Sequence, residues 1–287
     1  MRLRRPGDAE PRRASVVTAA AVREDWASLP SVLIPAGIAA GFYAQGWLRL
    51  RRRGRHDLAD GGRATMFGLG LFVAVVALGS ALDSLAANDL LSAHMLQHVL
   101  IGDLSPALLL AGMRGPLFFF VLPPSVLVPL AHTHWLRRLL STLTRPVVAF
   151  ALWATNLAVW HVPALYDAAI RHPAVHAVEH ACWFVAGLLV WSLLIDPAGR
   201  KRLSLGGKLG LCVALFAAGQ ILTDVLVFSF SPLYPAYAGA YGLSALTDQR
   251  LAGVVMMAEQ VLVLGVFALL LLRPRLRQGR AELAASV

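Results

Sequence analysis

The chain has 287 residues, 57% of them apolar and 15% charged, with a net charge of +10. Soluble domains carry about a quarter charged residues, so most of this surface meets something other than water. The basic excess lies in short clusters between apolar runs, as orienting charges do in membrane proteins, and this excludes a nucleic-acid surface.

The pattern predicts an all-α polytopic bundle with seven transmembrane helices in the lipid bilayer. A bilayer core of roughly 30 Å needs about 20 apolar residues per helix. Residues 1–29 are polar, hold six arginines and four acids, and read as a flexible or interfacial tail. Span one covers about 31–48 and ends in an arginine cluster, as a retained helix rather than a cleaved signal peptide does. The others follow at about 65–82, 92–112, 146–162, 174–195, 208–228 and 251–272. The membrane domain therefore runs over 30–273, with a C-terminal tail at 274–287. An apolar stretch at 116–131, with Pro123, Pro124 and Pro129, is short for a span and poor in backbone donors. An eighth span, a re-entrant loop and an interfacial piece all fit its composition.

Charge decides the threading. With seven spans and the N-terminus outside, the inner segments 49–64, 113–145, 196–207 and the cytoplasmic C-tail, with Lys208, hold 18 of the 26 basic residues. The outer loops hold two, Arg171 and Arg250. Counting 116–131 as a span would reverse everything after it and put the later arginines outside, against the positive-inside rule. The six arginines of the N-terminal tail run against the seven-span threading.

Of nine histidines, His56, His132 and His134 fall in inner segments, and His94, His98, His161, His172, His176 and His180 fall at the outer ends of spans three, four and five. HMLQH at 94–98 and HAVEH at 176–180 each place two imidazoles four residues apart, on one helical face about 6 Å apart in height. Two such pairs on neighbouring helices can coordinate one metal ion. A single pair is more often an interhelical hydrogen bond; two pairs with His161 favour metal. Histidine inside a bilayer usually faces a cavity or a partner, and a second group normally fixes its tautomer. Asp83, Asp167, Glu179 and Asp224 stand near the outer side as such supporting groups. Met95, Met256 and Met257 offer thioethers, which favour Cu(I), whereas imidazole suits copper, zinc and iron alike.

Other features carry blander readings. Trp160 and Tyr166 read as interface anchors. Asp103 lies about 13 Å along span three from His94 and reads as a cap on a helix break or as part of a proton or ion path, the structural role being favoured. Cys182 and Cys212 differ in depth by on the order of 12 Å, too far for a disulfide. The sequence shows no Gly-rich phosphate loop and no Ser-His-Asp signature.

HMLQH, WHVPALYDAAI at 160–170, HAVEH and TDQRLAGVVMM at 247–257 occur in this order. Together they resemble the CtaG-type cytochrome c oxidase assembly factors, over about 82–257. The resemblance implies a seven-helix protein of the bacterial plasma membrane, associated with assembly of a caa-type oxidase and with copper delivery to its catalytic subunit. Carried over by position, it points to His94, His98, His161, His176, His180 and Met256 as the metal set, with Asp248 and Gln249 in the last block. The family tends to show paired prolines after the first block; here Pro106 stands alone. The expectation is thus a non-catalytic, copper-binding assembly factor, with cytochrome c oxidase as partner. A haem-binding membrane cytochrome and a transporter are the alternatives. A membrane di-iron oxygenase would need more histidines, on the cytoplasmic side. The sequence leaves a homodimer open.

Overall fold

Helix after helix in this chain starts where the backbone loses nothing by starting. The computed structural model describes residues 19–285. Helix α1 spans Ala19–Arg52, α2 Gly61–Gly79, α3 Ala81–Asn88 and α4 Leu91–Val99. A π-helical turn, Leu100–Leu104, joins α4 to α5, Ser105–Gly112. Three short helices follow: α6 Pro116–Phe120, α7 Pro124–His132 and α8 His134–Leu143. The chain ends with α9 Pro146–Trp160, α10 Pro163–Arg171, α11 Pro173–Ile195, α12 Leu205–Phe228 and α13 Ala245–Ala285. Prolines open α9, α10 and α11, where the missing N–H is no loss. Asp60, Ser80 and Ser204 cap α2, α3 and α12 by accepting from Arg63, Leu82 and Gly207 N–H groups.

Among the described residues, five segments are long and apolar enough to cross a membrane: α2, the continuous run Leu91–Gly112, α11, α12 and residues Ala245–Gln278 of α13. The pair α9 and α10, bent by 76° at His161 and Val162, makes a sixth if counted as one span. The expected first span, 31–48, falls within α1 and is not among these segments of the described residues. Residues 1–18 of the expected polar tail lie outside the described residues, and from Ala19 the chain is helical. Segment 116–131 forms two helices of five and nine residues, about 7 and 13 Å long, so neither crosses a bilayer. The backbone of α6 lies against α1 at Gly46, where a Cβ would meet the Phe120 carbonyl. Helix α8 has no buried residue and exposes Trp135, Leu139 and Leu140 beside Arg137 and Arg138, as a helix lying in a membrane interface does.

The break inside Leu91–Gly112 follows from one residue. Pro106 cannot donate to the carbonyl four residues back, on Gly102. The helix widens instead, and Ser105 N–H reaches back five residues to Leu100 O. The bulge presses the Gly102 carbonyl onto α11 at Gly187, where any Cβ would overlap it. Asp103 does not cap this break, as its sequence position suggested. Its carboxylate accepts instead from Trp191 Nε1 of α11 at 3.3 Å.

The main core lies among α4, α9, α11, α12 and α13, around Trp153, Trp183, Trp191, Leu215 and Met256. A second cluster joins α1, α2 and α6 through Tyr43, which stacks on Phe67 at 3.9 Å between ring centres. Cys182 and Cys212 are both free thiols.

Candidate metal centre

Three helix starts and one loop meet at one end of the bundle. Helix α4 begins there without a cap of its own. Asp248, in the first turn of α13, supplies one. Its carboxylate accepts from Leu91 N–H at 2.7 Å, Ser92 N–H at 3.2 Å and Ser92 Oγ at 2.5 Å. An anion on exposed helix N–H groups is favourable, and more so when desolvated. This cap sets the register of α4 and hence the direction of His94 and His98. Gln97 fixes the opposite face by donating to Ala77 O and to Asp83 Oδ1, at 2.8 and 2.6 Å.

The two histidine pairs face each other. His94 and His98 approach at 2.8 Å between their Nε2 atoms, and the His176 and His180 rings lie 4.0 Å apart between centres. Across the helices, the His94 ring is 5.1 Å from that of His176, and the His98 ring 5.5 Å from that of His180. Glu179 lies between them, fully buried, with oxygens 3.8 Å from His94 Nε2 and 3.5 Å from His98 Nε2. Two triads have ligand atoms within 4.8 Å of one another: His94, His98 and His180, and His94, His176 and Glu179.

Hydrogen bonds settle which nitrogens are free. Tyr237, in the loop before α13, is buried, and burial pushes its phenol well above the ordinary range. It keeps its single proton and donates it to Ala86 O at 2.5 Å. Toward His94 Nδ1, 2.8 Å away, it must therefore accept. His94 carries its proton on Nδ1 and turns the Nε2 lone pair toward the cluster, the orientation a metal ligand needs. His98 Nε2–H then donates into that lone pair. His176 Nε2, His180 Nε2 and both Glu179 oxygens are buried without a hydrogen-bond partner. Unpaired buried groups are costly and rare, and here they converge on one spot.

His161 sits apart from this group. It ends α9 at the bend, where its Nδ1 lies 2.8 Å from Leu157 O and its Nε2 lies 3.4 Å from Met95 Sδ. Met256 is buried and lines, with His98 and His161, a cavity of about 30 Å³. That is room for one water or ion.

The expected set thus divides. His94, His98, His176 and His180 gather, and Glu179, expected as a supporting group, lies close enough to be a ligand. His161 and Met256 stand beside them. Asp83 and Asp248 accept hydrogen bonds from Gln97 and from the first turn of α4, while Asp167 pairs with exposed Arg171 at 3.1 Å. Asp224, another expected support, instead accepts from Gln220 Nε2 at 2.7 Å on α12. Exposed His172 lies outside the cluster. Tyr166 is no interface anchor: it is fully buried, its ring 5.0 Å from that of His94. Trp160 is likewise buried. Tyr234 and Tyr237 escaped the sequence reading. Their one signal is the spacing LYPAY in a Pro-flanked loop, and nothing local says where that loop folds.

Fold and site together define a helical, multi-pass membrane protein with a buried imidazole and carboxylate cluster at one end. The family model for the cytochrome c oxidase caa3 assembly factor (Caa3_CtaG) matches residues 41–278, and the chain belongs to that family. It is also 28% identical over 234 residues to an uncharacterized protein of Mycobacterium bovis and to one of Mycobacterium tuberculosis. Those matches cover 77% of this chain and 34% of each relative, so the chain spans about a third of their length. No solved structure matches.

Proposed function

We propose that this assembly factor binds copper at the histidine cluster and passes it to the catalytic subunit of the oxidase. The observation that carries the reading is the convergence of His176 Nε2, His180 Nε2 and the Glu179 oxygens, all buried and unpartnered, on the His94–His98 pair. Imidazole with one carboxylate also suits zinc or iron; membership of an oxidase-assembly family supports the choice of copper. The role is non-catalytic, since the cluster needs only to take up and release an ion.

The threading proposed here has seven crossings, with α1 the first and the bent pair α9 and α10 the fourth. The N-terminus lies outside and the C-terminus in the cytoplasm. Contacts among the basic segments support it. Arg63 donates to Arg114 O, Gly115 N–H to Pro197 O, and Arg202 to Thr144 O, all at the end away from the histidines. By the positive-inside rule that end faces the cytoplasm of a bacterial plasma membrane, and the cluster faces out. Reporter fusions at His172 test this: a cytosolic signal there removes the threading.

Metal analysis of detergent-purified protein tests the site. Wild type is compared with the double variants His94→Ala/His98→Ala and His176→Ala/His180→Ala. Both are expected to lose copper, and equal copper in all three removes the site. Oxidase activity in membranes of a deletion strain tests the assembly role separately.

A further inference from the structure

We propose that His161, Met95 and Met256 form a second site, for a monovalent soft cation such as Cu(I) or Ag(I), adjoining the imidazole cluster through His98. This rests on the copper-handling reading and divides it into two stations of different chemistry.

Leu157 O can only accept, so the proton of neutral His161 belongs on Nδ1, in that 2.8 Å bond. Its Nε2 lone pair then faces Met95 Sδ at 3.4 Å. Sulfur has no proton to offer, so two electron-pair donors face each other with nothing between them. The opposite tautomer would exchange a carbonyl hydrogen bond for a weak one to a thioether, and would leave a lone pair against a carbonyl. The separation suits a bridging ion. With metal–nitrogen and metal–sulfur bonds of about 2.0 and 2.3 Å, atoms 3.4 Å apart subtend roughly 105°, near the tetrahedral angle.

The surroundings select the ion. Met95, His161 and Met256 are all buried. Both thioethers, His161 and His98 line the same cavity of about 30 Å³, walled by Trp183. Thioether and imidazole donors favour a soft ion over a hard divalent one; Asp103 and Glu259 line the same cavity and are the carboxyls available to compensate its charge. His98 belongs to both places: its Nε2 faces His94 and Glu179, and its side chain lines the cavity. An ion in the soft site therefore lies one ligand away from the imidazole cluster.

The probe is Ag(I), which is soft and redox-inert. Silver stoichiometry and X-ray absorption are measured on detergent-purified full-length protein, for wild type, Met95→Leu/Met256→Leu and His176→Ala/His180→Ala. Leucine conserves the volume of methionine. Wild type is expected to bind one more silver than the methionine variant, and the difference spectrum to show sulfur in the first shell around the ion. The difference cancels any silver held by Cys182 or Cys212. The His176→Ala/His180→Ala variant is expected to keep the sulfur-bound ion and lose the other. Identical silver content and spectra in wild type and the methionine variant overturn the soft site and leave the imidazole site standing. Loss of silver from the methionine variant alone, with none lost from the histidine variant, removes the imidazole site instead. No silver in wild type removes both. Should the methionine variant fail to fold, wild-type and His161→Gln spectra decide: sulfur scattering that is absent, or unchanged by His161→Gln, overturns the proposal.

Discussion

Replacing Tyr237 by Phe isolates the orientation of His94 from its presence. The phenol oxygen makes two buried bonds, accepting from His94 Nδ1 at 2.8 Å and donating to Ala86 O at 2.5 Å. Its removal leaves an N–H and a carbonyl without partners, at about 1–3 kcal/mol each, so the metal-free variant should lose roughly 2–5 kcal/mol of stability. The ring itself stays, packed near Tyr166 at 6.1 Å. Metal affinity should fall by about 10–100-fold, the usual cost of losing a ligand's orienting partner, because His94 is then free to turn Nε2 away or to change tautomer. Competition against a chromophoric Cu(I) chelator reads the affinity, and thermal melting of metal-free protein reads the stability. Tyr234→Phe is the control: its hydroxyl donates to His161 O at 3.1 Å and does not touch His94. It should lose stability and keep the affinity of the imidazole cluster. Copper affinity unchanged in Tyr237→Phe, where His94→Ala loses it, would refute the assignment of tautomer.

Three further outcomes follow from individual contacts. Asp248→Ala removes three hydrogen bonds from the start of α4 and should cost about 3 kcal/mol or more, with Asp248→Asn recovering part; melting equal to wild type contradicts the cap. Gly187→Ala puts a Cβ into the Gly102 carbonyl, whereas Gly68→Ala points into open space. Membrane-fraction blots should show the first variant depleted and the second at wild-type level. Glu179→Gln keeps the shape of a buried, unpartnered carboxylate and removes its charge. It should leave the metal-free melting temperature unchanged or higher while weakening copper binding more than about tenfold; a lower melting temperature means Glu179 is structural.

What the sequence disclosed here is what periodicity and charge encode. The i, i+4 histidine pairs sit on regular helix, so their shared faces could be read from spacing alone, and the arginine clusters placed them at one end. Tyr237 and Asp248 could not be assigned roles this way. Each acts on α4 from more than 140 residues away, through contacts that depend on how α13 and its preceding loop dock. Asp103 was misread because a local rule, polar residue beside a helix break, was applied where a tertiary partner, Trp191, had the stronger claim. Tyr166 was misread because an aromatic near a span end usually marks the interface; here the 76° bend between α9 and α10 folds that end inward over His94.

The same geometry bears on how an ion would leave. In the metal-free protein His98 Nε2–H donates to His94 Nε2, so the two nitrogens that would bind an ion already satisfy each other. A cation entering between them must break that bond and move the His98 proton to Nδ1, an atom that is buried with no partner. Both changes favour the empty state, by about 1 kcal/mol for the bond and 1–3 kcal/mol for the unpaired N–H. Affinity is therefore held below what four imidazoles and a carboxylate could reach, by roughly one to three powers of ten. A storage site gains nothing from that penalty, whereas a carrier that must give up its ion to an oxidase does. His98→Gln separates the two cases. It removes one ligand and the internal bond together, so a carrier site of this design should lose less copper affinity than His180→Ala, which removes a ligand alone; a larger loss from His98→Gln contradicts the argument.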